Sequence, residues 1–216
     1  MRLAPVIASN AQTAAFNFTQ APHLPNGHSV ALDMLWIATL HQYGFWTADA
    51  ASGWHGPMIA RIDGIERKGS DFIWAAFTRA AREDPSQLSA ERMATEPRLF
   101  AEICRDDTGS CPVPDLESHC ALHVAHGIHL MRHEPGGYAS IIERVNASPH
   151  PIKALLQRLR SQPGYMGDPL AKKANLLAVI LTARPEQWLT PRDPWSIQPI
   201  VDYHMMRLCM RTGLVR

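Results

Sequence analysis

Pro163-Gly164-Tyr165-Met166-Gly167-Asp168-Pro169-Leu170-Ala171-Lys172-Lys173-Ala174-Asn175 is a Gly- and Pro-rich turn that runs straight into an apolar helix, and its reading decides the fold. Asp168-Pro169 reads as the helix start, an N-cap aspartate followed by a proline at the first helical position, where the missing N–H costs nothing. The helix is expected to run to about Ala183. Leu176, Leu177, Val179, Ile180 and Leu181 make it apolar almost all round, so it belongs in a packed core, with Lys172 held at the edge beside a cavity or solvent. A connection carrying Pro185, Pro191, Pro194 and Pro199 follows, and Val201-Asp202-Tyr203-His204 then opens a second apolar helix that stops at Gly213. The positive end of a helix favours an ionised carboxylate, which suits Asp202 to activating water or facing a developing positive charge. Taken singly, both residues also have plain readings, the lysine as a solvated charge and the aspartate as an N-cap.

Outward from this stretch the chain reads as mainly α. Helices are expected over about 29–43, 70–83, 89–94, 97–105, 113–126, 138–146, 149–160, 169–183 and 200–212, each bounded by Gly, Pro or a capping residue such as Ser148 before Pro149. Met58 to Ile65 alternates Ile59, Arg61, Asp63 and Ile65 against Met58, Ala60, Ile62 and Gly64, which predicts a short β-hairpin beside the helices. Residues 1–27 carry Pro5, Pro22, Pro25 and Gly27 with little periodicity and read as an irregular arm; residues 28–216 then form a single helical domain with two lobes.

Composition bounds the function. The 21 Lys+Arg against 20 Asp+Glu leave a formal charge of +1, without the basic surplus usual in proteins that grip a DNA duplex. Lys153, Arg158, Arg160, Lys172 and Lys173 are close in sequence and suit one phosphate or a short strand better than a long backbone. The balance points to a small nucleotide substrate. No apolar run is long enough to span a membrane, and no secretory signal is read, so no membrane partner is expected. Cys104, Cys111, Cys120 and Cys209 form no Cys-x-x-Cys pair, which reads as reduced thiols in a cytoplasmic protein without an iron–sulfur cluster.

Several residues carry two readings. Phe45, Trp46, Trp54 and Trp74 are either core or stacking surfaces for a flat base, worth about 1–3 kcal/mol per base. Trp46, beside Gly44, is the best candidate for a binding pocket, whereas Trp74 and Phe77 share helical spacing. Asp63 is either a turn residue before Gly64 or a polar contact to substrate. His119, His123, His126, His129 and His133 fall on one broad helix face, and His119 with His123 has the i, i+4 spacing of a metal-ligand pair. With no acidic ligand placed nearby, a packed or solvated histidine face is the favoured reading, and no metal or other cofactor is expected. Gly127 is expected to interrupt that helix.

The run from Pro163-Gly164 to Asn175, with Val201-Asp202-Tyr203-His204 and Arg207-Leu208, resembles the helix-hairpin-helix DNA glycosylases of the endonuclease III type. Those proteins lead a Pro-Gly hairpin into a helix bearing Lys-x-Ala-Asn and supply a catalytic aspartate from Val-Asp-x-His-x-x-Arg; by position Lys172 and Asp202 match the pair. The hairpin and the Lys-to-Asp interval are longer here. A longer interval is found in archaeal 8-oxoguanine glycosylases and in queuosine salvage proteins. Gly44-Phe45-Trp46, Asp63-Gly64, Gly69-Ser70 and Thr78-Arg79-Ala80 resemble landmarks of the salvage family in order, and the likeness spans about residues 28 to 214. The family's Asp-Tyr-Arg stands here as Asp202-Tyr203-His204, and its Lys-Arg-Ala-Gln as Lys172 to Asn175.

The resemblance implies a helix-hairpin-helix glycosylase-like fold and hydrolysis of the N-glycosidic bond of queuosine 5′-phosphate, releasing queuine for tRNA. Asp202 stabilises an oxocarbenium-like sugar and orients water, Lys172 contacts the ribose phosphate or tunes Asp202, and Phe45, Trp46, Asp63, Trp74, Tyr203 and His204 bind substrate. The alternative is a base-excision glycosylase acting on DNA, in which Lys172 attacks the sugar and nicks the strand. Relatives in both branches continue past the position of Arg216, so the resemblance also allows a short, truncated or inactive nucleotide-binding relative.

Overall fold

The computed structural model describes residues 17–48 and 55–214, with the backbone alone at Ala48, His55, Tyr203 and His204. Its centre is α1 (Ala31–Leu40), a helix buried on nearly every side because Met34 to Leu40 is an unbroken run of buried residues. Around it pack α2 (Ser70–Glu83), α6 (Gly137–Asn146) and α8 (Lys172–Ala183). α2 turns Phe72, Ile73, Phe77 and Ala81 inward, and its span is the one expected.

Between α1 and α2 lie two antiparallel ribbons. β1 (Trp46–Ala48) pairs with β2 (His55–Pro57), and β3 (Ile59–Ile62) pairs with β4 (Ile65–Lys68) about a turn at Asp63-Gly64, both residues having positive φ. Asp-Gly with left-handed backbone at both positions is the chemistry of a two-residue hairpin turn. The expected alternation holds, Met58 and Ile62 being buried and Ile59 and Arg61 exposed.

The remaining helices are α3 (Ala90–Thr95), α4 (Leu99–Ile103), α5 (Leu116–His133), α7 (Pro151–Leu159) and α9 (Tyr203–Arg211). Gly127 does not interrupt α5. A Cβ there would lie 2.6 Å from Ala94 N and 2.6 Å from Met93 Cβ, so the glycine is where α5 and α3 cross in backbone contact. At the start of α7 the cap is not Ser148: the Asp193 carboxylate, distant in sequence, accepts the N–H of Ile152 and of Lys153, each at 3.0 Å.

α8 starts later than Asp168-Pro169 predicts, because Ala171 takes a left-handed conformation and breaks the first turn away. Asp168 still supplies the cap, its Oδ2 accepting the Lys173 N–H at 2.9 Å and its Oδ1 that of Leu170 at 3.2 Å. The preceding turn is anchored from two sides. Tyr165 donates its hydroxyl to Trp36 O (3.0 Å), and His126 bonds Pro163 O (3.3 Å). A Cβ on Gly164, at φ +89°, would sit 2.0 Å from Leu40 Cδ1. α9 ends as expected at Gly213, where the Leu214 N–H reaches Cys209 O and the Gly213 N–H reaches Met210 O in a Schellman cap. Its Met205, Met206, Leu208 and Met210 are exposed.

The described part of the N-terminal arm lacks helix and strand yet is packed down. Phe18 and Leu24 are buried, and the buried Arg184 guanidinium donates to the carbonyls of Phe18, Leu24 and Pro25. No described helix is long and apolar enough to cross a membrane.

Candidate functional site

Four segments far apart in the chain meet around one cavity of about 460 Å3: residues 42–46 after α1, 68–74 at the β4–α2 junction, the first turns of α8, and 200–202 before α9. Backbone pairing fixes the first two. The Met58 N–H donates to Phe45 O at 2.8 Å and the Gly69 N–H to Met58 O at 2.9 Å. Gly69 has φ +48°, a left-handed conformation that favours glycine, and its backbone packs against the Phe45 side chain.

The walls divide by chemistry. Phe45, Trp46 and Trp74 form an aromatic side with Phe18, while Lys68, Asp71, Lys172 and Asp202 bring the charges. Trp74 is 5% exposed and leans on His23 at 5.0 Å, so it is both core and wall; Trp46 is 40% exposed. α2 opens onto the cavity at Gly69 and Ser70, with no side-chain cap at its N-terminus among the described residues.

Asp202 caps α9, its Oδ1 accepting the Met205 N–H at 3.1 Å and its carbonyl the Met206 N–H at 3.0 Å. What sets it against α8 is Asn175. That buried side chain donates to Ala171 O (2.8 Å) and accepts the Gln198 N–H (2.8 Å), tying the approach to Asp202 to the helix that carries Lys172. Lys-x-Ala-Asn therefore has a local physical logic: the lysine faces the cavity from the first turn, and the asparagine one turn on holds the segment bearing the aspartate.

A second depression, about 840 Å3, adjoins the first and shares Gln42, Tyr43, Gly44, Lys172 and Asp202 with it. Lys173 lines only this one, as the angular offset of about 100° between neighbouring helix residues requires. Its ammonium lies 3.4 Å from Leu40 O and 4.7 Å from the centroid of the Tyr43 ring, and the residue is 8% exposed. Burial lowers its pKa to about 8, opposed by Asp168 and reinforced by the Lys172 charge.

The other expected site residues are not all gathered here. Asp63 sits in the hairpin turn, at the end of the ribbon remote from Lys68; at about 3.3 Å per residue the separation is on the order of 15 Å. The Asp107 carboxylate accepts the N–H groups of Asp63 and Gly64 at 2.9 Å each, and Arg79 approaches the Asp63 carboxylate at 3.7 Å. It acts as a turn residue, and its assignment as a contact of this cavity is corrected accordingly. Tyr203 and His204 start α9 beside Asp202, but their side chains lie outside the described residues, as does Trp54. Tyr43, Lys68 and Asp71 were not anticipated; the only signal was their adjacency to Gly44 and Gly69.

The histidines of α5 are packed. His41 Nδ1 lies 3.0 Å from His119 Nδ1, and His41 Nε2 lies 3.1 Å from His123 Nδ1, all three rings buried. Because both nitrogens of His41 are engaged in opposite directions, the three rings do not converge on an ion, and no group of three or more His, Cys, Asp or Glu able to hold a metal occurs among the described residues. Burial depresses His41 well below the usual imidazole range, helped by repulsion from His123 and His119; it takes His119 to about 4 and His123 to about 3. His126 is likewise held at about 4 by burial and bonds the Tyr138 hydroxyl at 2.9 Å. The four cysteines are free thiols.

No protein-family model matches the chain, and no curated protein matches it in a sequence search.

Proposed function

We propose that this chain hydrolyses the N-glycosidic bond of a nucleotide, with queuosine 5′-phosphate as the substrate to which the sequence resemblance points. One observation carries the reading: Asp202, Lys172 and the aromatic residues Phe45, Trp46 and Trp74, drawn from distant segments, line one cavity of about 460 Å3. That volume is in the range of about 300–1,000 Å3 typical of small-ligand sites. A flat base fits against the aromatic side and a sugar phosphate against Lys68 and Lys172.

In this reading the C–N bond lengthens and positive charge grows on the sugar. The Asp202 carboxylate faces that charge, orients water and takes its proton as the oxygen bonds to the anomeric carbon. The near-balanced charge of +1 favours a single nucleotide over a long DNA backbone. The test is base release by purified protein, comparing queuosine 5′-phosphate with duplex DNA carrying 8-oxoguanine or an abasic site. Release of queuine without strand nicking is the expected result. Nicking of DNA would instead make Lys172 a sugar-attacking nucleophile, and binding without turnover would make the chain a nucleotide-binding protein.

A further inference from the structure

Tyr43 is the aromatic residue that both depressions share, and its ring is fixed from two directions. The Lys173 ammonium lies over it at 4.7 Å from the centroid, and the His119 imidazole stacks on it at 4.2 Å with 20° between the planes. Together these two neighbours hold the ring in place. The Tyr43 N–H, bonded to His41 O at 2.8 Å, fixes the backbone as well. The polar group that the held ring offers a ligand is its hydroxyl. That hydroxyl has no hydrogen-bond partner among the described residues and is not among the sealed polar atoms. An immobilised, unpaired phenol in the wall of a cavity is a donor kept for a ligand.

We propose that the Tyr43 hydroxyl is a catalytic hydrogen-bond donor to the departing base, an inference that rests on the hydrolase reading above. A 7-deazapurine has no N7 to protonate, so the electron pair of the breaking C–N bond must be stabilised at another polar edge of the base. The phenol O–H supplies that contact while keeping its own proton. The base then takes up the proton that Asp202 removed from water, which returns Asp202 to the carboxylate and balances the hydrolysis. Burial and the nearby Asp115 push the Tyr43 phenol up to about 12, so it remains a donor throughout the neutral range.

The test is Tyr43→Phe, which keeps the ring, the stack on His119 and the contact with Lys173 and removes only the hydroxyl. With queuosine 5′-phosphate the expected result is a kcat lower by about 100-fold with KM within about threefold, at an unchanged melting temperature. A variant with wild-type kcat overturns the role of Tyr43 and leaves the hydrolase reading standing. If the wild-type protein releases no base, the hydrolase reading fails, and the contact itself is decided by titration with free 7-deazaguanine. Binding weakened about tenfold by Tyr43→Phe would keep the hydroxyl as a contact to the base. Equal binding by both proteins, or none by the wild type, would overturn it.

Discussion

Two polar assemblies meet back to back at Tyr43 and Gly44, and they use their side chains in opposite ways. On one side Lys68, Asp71, Lys172 and Asp202 line one open cavity. On the other, His119, His41 and His123 are sealed in the core and bond one another through four of their six ring nitrogens. The two are close: a Cβ on Gly44 would lie 3.7 Å from His119 Nε2. Three neutral rings carry three protons. One proton sits in each ring-to-ring gap, and the third is on the Nε2 of either His119 or His123, both of which lack partners. Residue type alone, then, does not mark a site. Groups that line a shared cavity can meet a ligand there, whereas rings that hydrogen-bond one another inside the core hold it together.

The largest expected effect that tests this contrast is on the sealed side. His41→Ala leaves two buried ring nitrogens facing a void, and denaturant unfolding should show a loss of about 3 kcal/mol or more. A loss below about 1 kcal/mol would mean that the chain of rings contributes little. Acid provides a second test. The folded pKa values of His119, His123 and His126 lie at about 3 to 4, below the ordinary 6.5. Between those values the unfolded chain binds more protons, so stability is full above pH 6.5 and falls as the pH drops, by up to about 1.4 kcal/mol per pH unit for each ring. Melting temperatures constant from pH 6.5 to 5 would contradict the burial of neutral rings.

Smaller effects follow. Gly127→Ala forces a methyl into the α5–α3 crossing and should cost about 1–3 kcal/mol, read from the shift in denaturation midpoint. On the open side Trp46→Ala should raise KM about tenfold, as expected for losing one stacking surface, with stability changed by less than about 0.5 kcal/mol. Asp63→Ala, remote in the hairpin turn, should leave base release within about twofold. A large loss there would return Asp63 to the substrate.

Much of this architecture is legible in the chain. Each of the nine α-helices among the described residues lies at an expected position, because their apolar periodicity and their Gly and Pro boundaries are local signals. Non-local contacts are not. The start of α8 moves because Ala171 adopts a left-handed conformation, and Gly127 continues its helix because its role is set by Ala94 and Met93 on another element. The i, i+4 pair His119 and His123 looks like a metal site until His41, from α1's C-terminal end, enters between them. Asn175 was visible as part of a motif, but its hold on Gln198 became apparent only with the structure. Of the site, Lys172, Asp202, Phe45, Trp46 and Trp74 converge on one cavity.

Asp202→Asn tests the central claim most directly, because asparagine caps a helix about as well as aspartate and so preserves the start of α9 while removing the negative charge. In a base-release assay with queuosine 5′-phosphate, wild-type protein should liberate queuine and the variant should be slower by at least about 1,000-fold, with the same melting temperature and similar substrate binding. Release by the variant at the wild-type rate would remove Asp202 from the chemistry and contradict the hydrolase assignment of this cavity.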